Sequence, residues 1–136
     1  MISPDAILGV LGGGHLGRMF CIAARTMGYR VWVLDPGADS PAGELADRHI
    51  QADYLDQDAL REMSEHCAAV TTEFENVPAE TLAFLEARVP VHPASKSVAI
   101  VRDRIIEKTF ILEQGLATAP FFPIERSGDL DAACSY

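Results

Sequence analysis

The feature that most constrains this chain is a cluster of glycines set between a short apolar run and an amphipathic one. Ile7-Leu8-Gly9-Val10-Leu11 has no polar alternation and stops at Gly12-Gly13-Gly14. Such a run predicts a strand buried on both faces, as in a parallel sheet. Beyond the turn, Leu16, Met19, Phe20, Ala23, Ala24 and Met27 recur at helical spacing. They predict a helix with an apolar stripe facing a core. Gly28 stands where a helix ends in a left-handed residue. Arg30-Val31-Trp32-Val33-Leu34 then reads as a second buried strand ending at Asp35-Pro36-Gly37. Two strands joined through one helix make a right-handed βαβ unit.

The rhythm continues. Arg48 to Gln51 reads as a brief third strand and Gln57 to His66 as a helix with Leu60 and Met63 inward. Ala68 to Thr72 reads as a fourth strand. Pro78 suits the first turn of a helix carrying Leu82 and Leu85. Val89-Pro90-Val91 reads as a short last strand, confined by Pro90 to an edge or a strand start. The fold class expected is therefore α/β, a Rossmann-like doubly wound parallel sheet. A second unit is expected from Ala94 onward, with a helix over Arg102 to Glu113 ended by Gly115, then a proline-punctuated apolar stretch and a helix-like Asp129 to Cys134. The split is thus 1–93 and 94–136.

Composition narrows the partners. Twenty acidic against 11 basic side chains leave a formal net charge of −9 with no basic cluster. Nucleic acid and anionic membranes are poor partners for such a surface. No stretch approaches the roughly 18 apolar residues of a membrane span, and the N-terminus lacks a secretory pattern. A cytoplasmic protein is expected. Cys21, Cys67 and Cys134 are widely spaced, which argues against a disulfide framework or zinc site. Cys21 and Cys67 read as buried small hydrophobes.

Gly12, Gly14 and Gly17 match G-x-G-x-x-G between a strand and a helix. Glycine lets a ligand lie on the backbone, and the helix N-terminus offers free N–H groups to an anion. A small, phosphorylated ligand is the expectation, with a ligand-free structural turn as the competing reading. Asp35, 18 residues after Gly17, sits near where dinucleotide enzymes bind a ribose, although Pro36 and Gly37 equally suit an Asx turn. His15 lies inside the turn, able to meet a ligand, cap the helix or face water. Glu73 and Glu75 point to one side if the fourth strand's extended backbone persists, beyond the strand ends where α/β sheets bind ligands. There they suit ribose hydroxyls or an amine, or else stand as exposed acids before a helix. Arg102, Asp103, Arg104, Glu107 and Lys108 read, taken alone, as the solvated side of a helix.

Taken together, Gly12-Gly13-Gly14-His15-Leu16-Gly17-Arg18-Met19, Asp35-Pro36, Ser40-Pro41-Ala42, Ala46-Asp47, Ala52-Asp53-Tyr54, Thr72-Glu73-Phe74-Glu75-Asn76-Val77-Pro78, Asp103-Arg104 with Glu107-Lys108, and Thr118-Ala119-Pro120-Phe121 occur in an order that is familiar. The chain resembles the N-terminal part of the ATP-dependent carboxyaminoimidazole ribonucleotide synthetases (the PurK family), ATP-grasp ligases of purine biosynthesis. The resemblance covers nearly the whole chain. It implies a pre-ATP-grasp substrate-binding domain over 1–93 and the truncated start of an ATP-grasp domain over 94–136. It implies ATP, Mg²⁺, bicarbonate and aminoimidazole ribonucleotide as reactants and cofactors, and a homodimer. By motif position, Gly14, His15 and Leu16 line the ribonucleotide site, Glu73 and Glu75 hold its ribose, and Arg104 contacts ATP. The family usually carries glutamine where this chain has His15. Its phosphate-gripping lysines and Mg²⁺ ligands fall beyond Tyr136, so the 136-residue chain is expected to be inactive alone. An NAD-dependent oxidoreductase domain and a nucleotide-sensing module remain the alternatives. The apolar residues of 102–124 are expected to pack on a further domain or to drive self-association.

Overall fold

The structure, a computed structural model, describes residues 2–135, which divide after Ala99 into two compact units. In the first, strands β1 (Ile7–Leu11), β2 (Arg30–Leu34), β3 (Arg48–Ile50) and β4 (Ala69–Thr72) form one parallel sheet in the order β3-β2-β1-β4. Helix α1 (His15–Thr26) covers one face, where Val10, Val31 and Val33 meet Cys21, Ala24 and Ala42. Helices α2 (Gln57–His66), α3 (Ala79–Glu86) and α4 (Ser95–Val101) serve the other face, where Leu11 and Leu34 pack with Leu60, Met63, Leu82, Leu85 and Val98. Leu60, Met63, Leu82 and Leu85 are fully buried, each removing apolar surface worth about 1.5–3 kcal/mol. This is the doubly wound α/β sheet that the strand–helix alternation predicts.

Local chemistry explains where the helices begin and end. The Asp56 carboxylate accepts from the Asp58 and Ala59 N–H groups at 2.9 and 3.0 Å, capping α2. Pro78 precedes α3, where a missing N–H costs nothing. Gly28 closes α1 with φ +87°, a conformation that favours glycine.

Two expectations are corrected. The helix of α1 is real, but its buried side is Gly17, Cys21 and Ala24, not the stripe of larger residues. Leu16, Met19 and Met27 are 63%, 65% and 64% exposed, Ala23 is exposed, and Phe20 is half-buried. The reason is proximity: a Cβ at Gly17 would lie 2.8 Å from the Gly12 carbonyl oxygen. At Gly17 only a small residue fits between this helix and the glycine turn, while Phe20 packs partly buried against the same core. The second correction is Val89-Pro90-Val91, which forms no strand. It makes a single parallel bridge, Val70 with Val91, held by Val70 N–H to Pro90 O and His92 N–H to Val70 O. Pro90 has no N–H to extend the ladder, and Pro93 follows at once.

In the second unit, α5 (Arg104–Glu113) starts at Asp103, whose carboxylate accepts from Ile105 and Ile106 N–H at 2.8 and 3.0 Å. Gly115, at φ +73°, follows it. A 3-10 turn (Ser127–Asp129) leads into α6 (Leu130–Cys134). No residue of α5 is buried, and Ile106, Phe110 and Leu112 are among its exposed apolar side chains. Among the described residues no helix is long and apolar enough to cross a membrane.

Candidate functional site

The sheet register builds the site. Leu11 pairs with Leu34 on one side and with Thr72 on the other. The next residue of each strand, Gly12, Asp35 and Glu73, therefore emerges at the same carboxyl edge. In parallel α/β sheets this edge is the ligand edge. Past β4 the backbone bends instead of staying extended, and Thr72 Oγ1 donates to the Phe74 carbonyl at 2.8 Å within that bend. The bend breaks the expected alternation. Glu73 turns inward while Glu75 is exposed, and Phe74 packs beside Tyr54 with ring centroids 6.0 Å apart.

Both inward acids grip the glycine turn. Glu73 Oε1 accepts from Gly14 N–H at 2.7 Å, and its Oε2 accepts from Gly17 N–H at 2.5 Å. Asp35 Oδ2 accepts from Gly13 N–H at 2.8 Å and from the Tyr54 hydroxyl at 2.9 Å, while its Oδ1 accepts from Gly37 N–H at 2.7 Å. Burial, followed by this bond to the Asp35 carboxylate, pushes the Tyr54 hydroxyl well above the usual tyrosine range. Asp35 thus makes the Asx turn that Pro36 and Gly37 foretold and ties it to the glycine turn. Gly12 adopts φ +107° to make the corner.

The turn has supports that sequence reasoning missed. Buried Ser40 donates its hydroxyl to Gly13 O at 3.1 Å and accepts from Gly43 N–H at 2.9 Å. Ala42 N–H also donates to Gly13 O at 2.9 Å. A buried carbonyl in a glycine turn requires such donors, and that requirement was the available signal. It does not say which serine, 27 residues away, supplies one.

The structure brings Gly14 and Glu73 together directly. His15 and Leu16 are exposed at the start of α1, and Glu75 is exposed past β4. Arg104 belongs to the second unit, where it pairs with Glu107 at the first turn of α5. Lys108 Nζ there donates to Ala119 O at 3.0 Å and lies 5.1 Å from the Phe121 ring centroid. Cys21 and Cys67 are buried, as expected of small hydrophobes, and burial pushes the Cys67 thiol up to about 12. Among the described residues no group of three His, Cys, Asp or Glu side chains converges as a metal site.

A doubly wound parallel sheet whose glycine turn, at the carboxyl edge, is held by acids just past β2 and β4 defines a Rossmann-like ligand-binding domain. Residues 6–102 match the ribonucleotide synthetase pre-ATP-grasp domain, and the chain belongs to that family. It is 45% identical over 128 residues to an N5-carboxyaminoimidazole ribonucleotide synthase of Pseudomonas aeruginosa, covering 94% of this chain and 35% of that protein. A crystal structure of an N5-carboxyaminoimidazole ribonucleotide synthetase in complex with ADP superposes with a TM-score of 0.92 at 36% identity, covering 99% of this chain and 36% of that one. The Aspergillus clavatus enzyme, in complex with ADP and 5-aminoimidazole ribonucleotide, superposes at 0.82 with 26% identity, covering 96% and 36%. The chain thus spans 35% of the length of the curated relatives it matches.

Proposed function

We propose that this chain is the N-terminal, ribonucleotide-binding part of a ligase that carboxylates aminoimidazole ribonucleotide with ATP and bicarbonate. The observation that carries the reading is the 45% identity to a synthase of that name across 94% of the chain. The residues that follow the matched stretch 6–102 are proposed to open an ATP-grasp domain whose remainder lies in a longer protein.

In this reading the turn at Gly14, His15 and Leu16 lines the ribonucleotide site, with the exposed Glu75 and the outward lone pairs of Glu73 accepting from ribose hydroxyls. Arg104 contacts ATP. A carboxylate oxygen that already accepts one N–H retains a second lone pair, so Glu73 can hold the turn and a hydroxyl at once. In ligases of this kind ATP makes bicarbonate electrophilic, and Mg²⁺ neutralises phosphate charge when bound. The residues of this chain contribute binding and orientation of the ribonucleotide. We further propose a cytoplasmic location, and a homodimer in which the exposed apolar side chains of 102–124 are covered.

Two measurements test the reading. Calorimetric titration of the chain is expected to show binding of aminoimidazole ribonucleotide and none of NAD. A chimera with this chain in place of the matching N-terminal segment of the Pseudomonas relative is expected to carboxylate aminoimidazole ribonucleotide, whereas the 136-residue chain alone is not. NAD binding, or an inert, well-folded chimera, refutes it. The dinucleotide alternative is not favoured: Glu73 occupies the helix start that a pyrophosphate would need, and Asp35 is spent on Gly13, Gly37 and Tyr54.

A further inference from the structure

The glycine turn has the sequence of an open anion seat, yet the chain fills it from within. A Cβ on Gly14 would stand 2.6 Å from Glu73 Oε1, and one on Gly12 2.9 Å from that same oxygen. At Gly13 it would lie 2.8 Å from Asp35 Cβ and Cγ and strike the Ser40 hydroxyl. The turn is narrow so that the protein's own acids and hydroxyl can enter. The Gly14 and Gly17 N–H groups are those that a phosphate takes at the head of a helix. Here they donate to the two oxygens of one carboxylate 56–59 residues away.

The geometry points to Glu73 as the specificity-determining residue of this turn: its carboxylate fills the anion seat and bars phosphate groups, leaving the turn to ligands that donate hydrogen bonds. Two unit negative charges about 4 Å apart, at an effective dielectric near 20, disfavour binding by roughly a thousandfold. Asp35 at the same edge adds a second negative charge beneath Gly13. A hydroxyl or amine meets the opposite situation, because the free lone pairs of Glu73 accept from it. This step rests on the hydrogen bonds of the turn and stands apart from the identity of the substrate proposed above.

The test is an amide NMR titration of the whole 136-residue chain with inorganic pyrophosphate. In the wild type the Gly14 and Gly17 amide signals are expected to stay unmoved. In Glu73→Ala they are expected to shift saturably, with binding at least about tenfold tighter than in the wild type. Glu73→Gln, which keeps the shape and removes the charge, is expected to fall between. Acetate, a probe for the vacated carboxylate, is expected to raise the melting temperature of Glu73→Ala and leave that of the wild type unchanged. Saturable shifts of Gly14 and Gly17 in the wild type overturn the inference, and that measurement needs no variant to fold. A folded Glu73→Ala that binds pyrophosphate no better than the wild type overturns it as well. Failure of aminoimidazole ribonucleotide to bind counts against the proposed substrate and leaves this result untouched.

Discussion

Replacing Asp35 by alanine separates a ligand acid from a structural one. In the structure this carboxylate accepts three hydrogen bonds, from Gly13 N–H, Gly37 N–H and the Tyr54 hydroxyl. The Gly13 and Tyr54 bonds are partly buried, and bonds to a charged group at such positions contribute about 1.5–3 kcal/mol each. The Gly37 bond is exposed and adds little. Taking the low end for the two buried bonds, Asp35→Ala costs about 3–4 kcal/mol, a large part of the roughly 5–15 kcal/mol that holds a domain together. In urea unfolding, with a slope of about 2 kcal/mol/M, the midpoint falls by about 1.5–2 M. Asp35→Asn, which keeps one acceptor oxygen, loses about half as much. A double-mutant cycle with Tyr54→Phe should return a coupling of about 1–2 kcal/mol, because the two groups share one bond. An acid kept free for a ribose would give a change within about 0.5 kcal/mol, as surface substitutions do. A midpoint shift below about 0.5 M for Asp35→Ala refutes a structural role for this carboxylate in the turn.

Two further predictions concern pH. The Tyr54 hydroxyl has its proton affinity raised above the ordinary value of 10.0 by burial and by Asp35. Its contribution is therefore complete below pH 10 and is lost as pH rises beyond it, so unfolding followed from about pH 9 to 12 should show an alkaline loss that Tyr54→Phe flattens. Glu86 is shifted the other way, below 4.5, by its bonds from the Ser95 hydroxyl and the Ser95 N–H at the start of α4. That contribution is present above pH 4.5 and fades as pH falls through the lowered value. The melting temperature should drop more steeply between about pH 5 and 3 in the wild type than in Glu86→Gln. Glu86 itself is solvent-exposed although Ser95 is buried, so the difference at neutral pH stays within about 1 kcal/mol.

Much of the fold was legible because its signals are local. Leu60 and Met63 at helical spacing marked α2 to the residue, and the unpatterned apolar runs marked β1 and β2 as central parallel strands. Gly28 marked the end of α1. The phase of α1 was not legible, since large and small apolar residues share that helix and periodicity cannot say which side lies against the sheet. The closeness of Gly17 to the Gly12 carbonyl decided it in favour of the small side. The glycine turn was visible from the start, as was the presence of acids after β2 and β4. What fills the turn was not. Glu73 reaches Gly14 and Gly17 because parallel pairing sets Leu11 beside Thr72 and the backbone then bends inward. A strand, a glycine corner and a helix follow from neighbours a few residues apart, and the order of residues sufficed to specify them. That the seat at the corner holds a carboxylate from the chain itself depends on register between strands whose paired residues, Leu11 and Thr72, are far apart in sequence. Long-range pairing of that kind leaves no local trace, so it became visible only once the chain was folded.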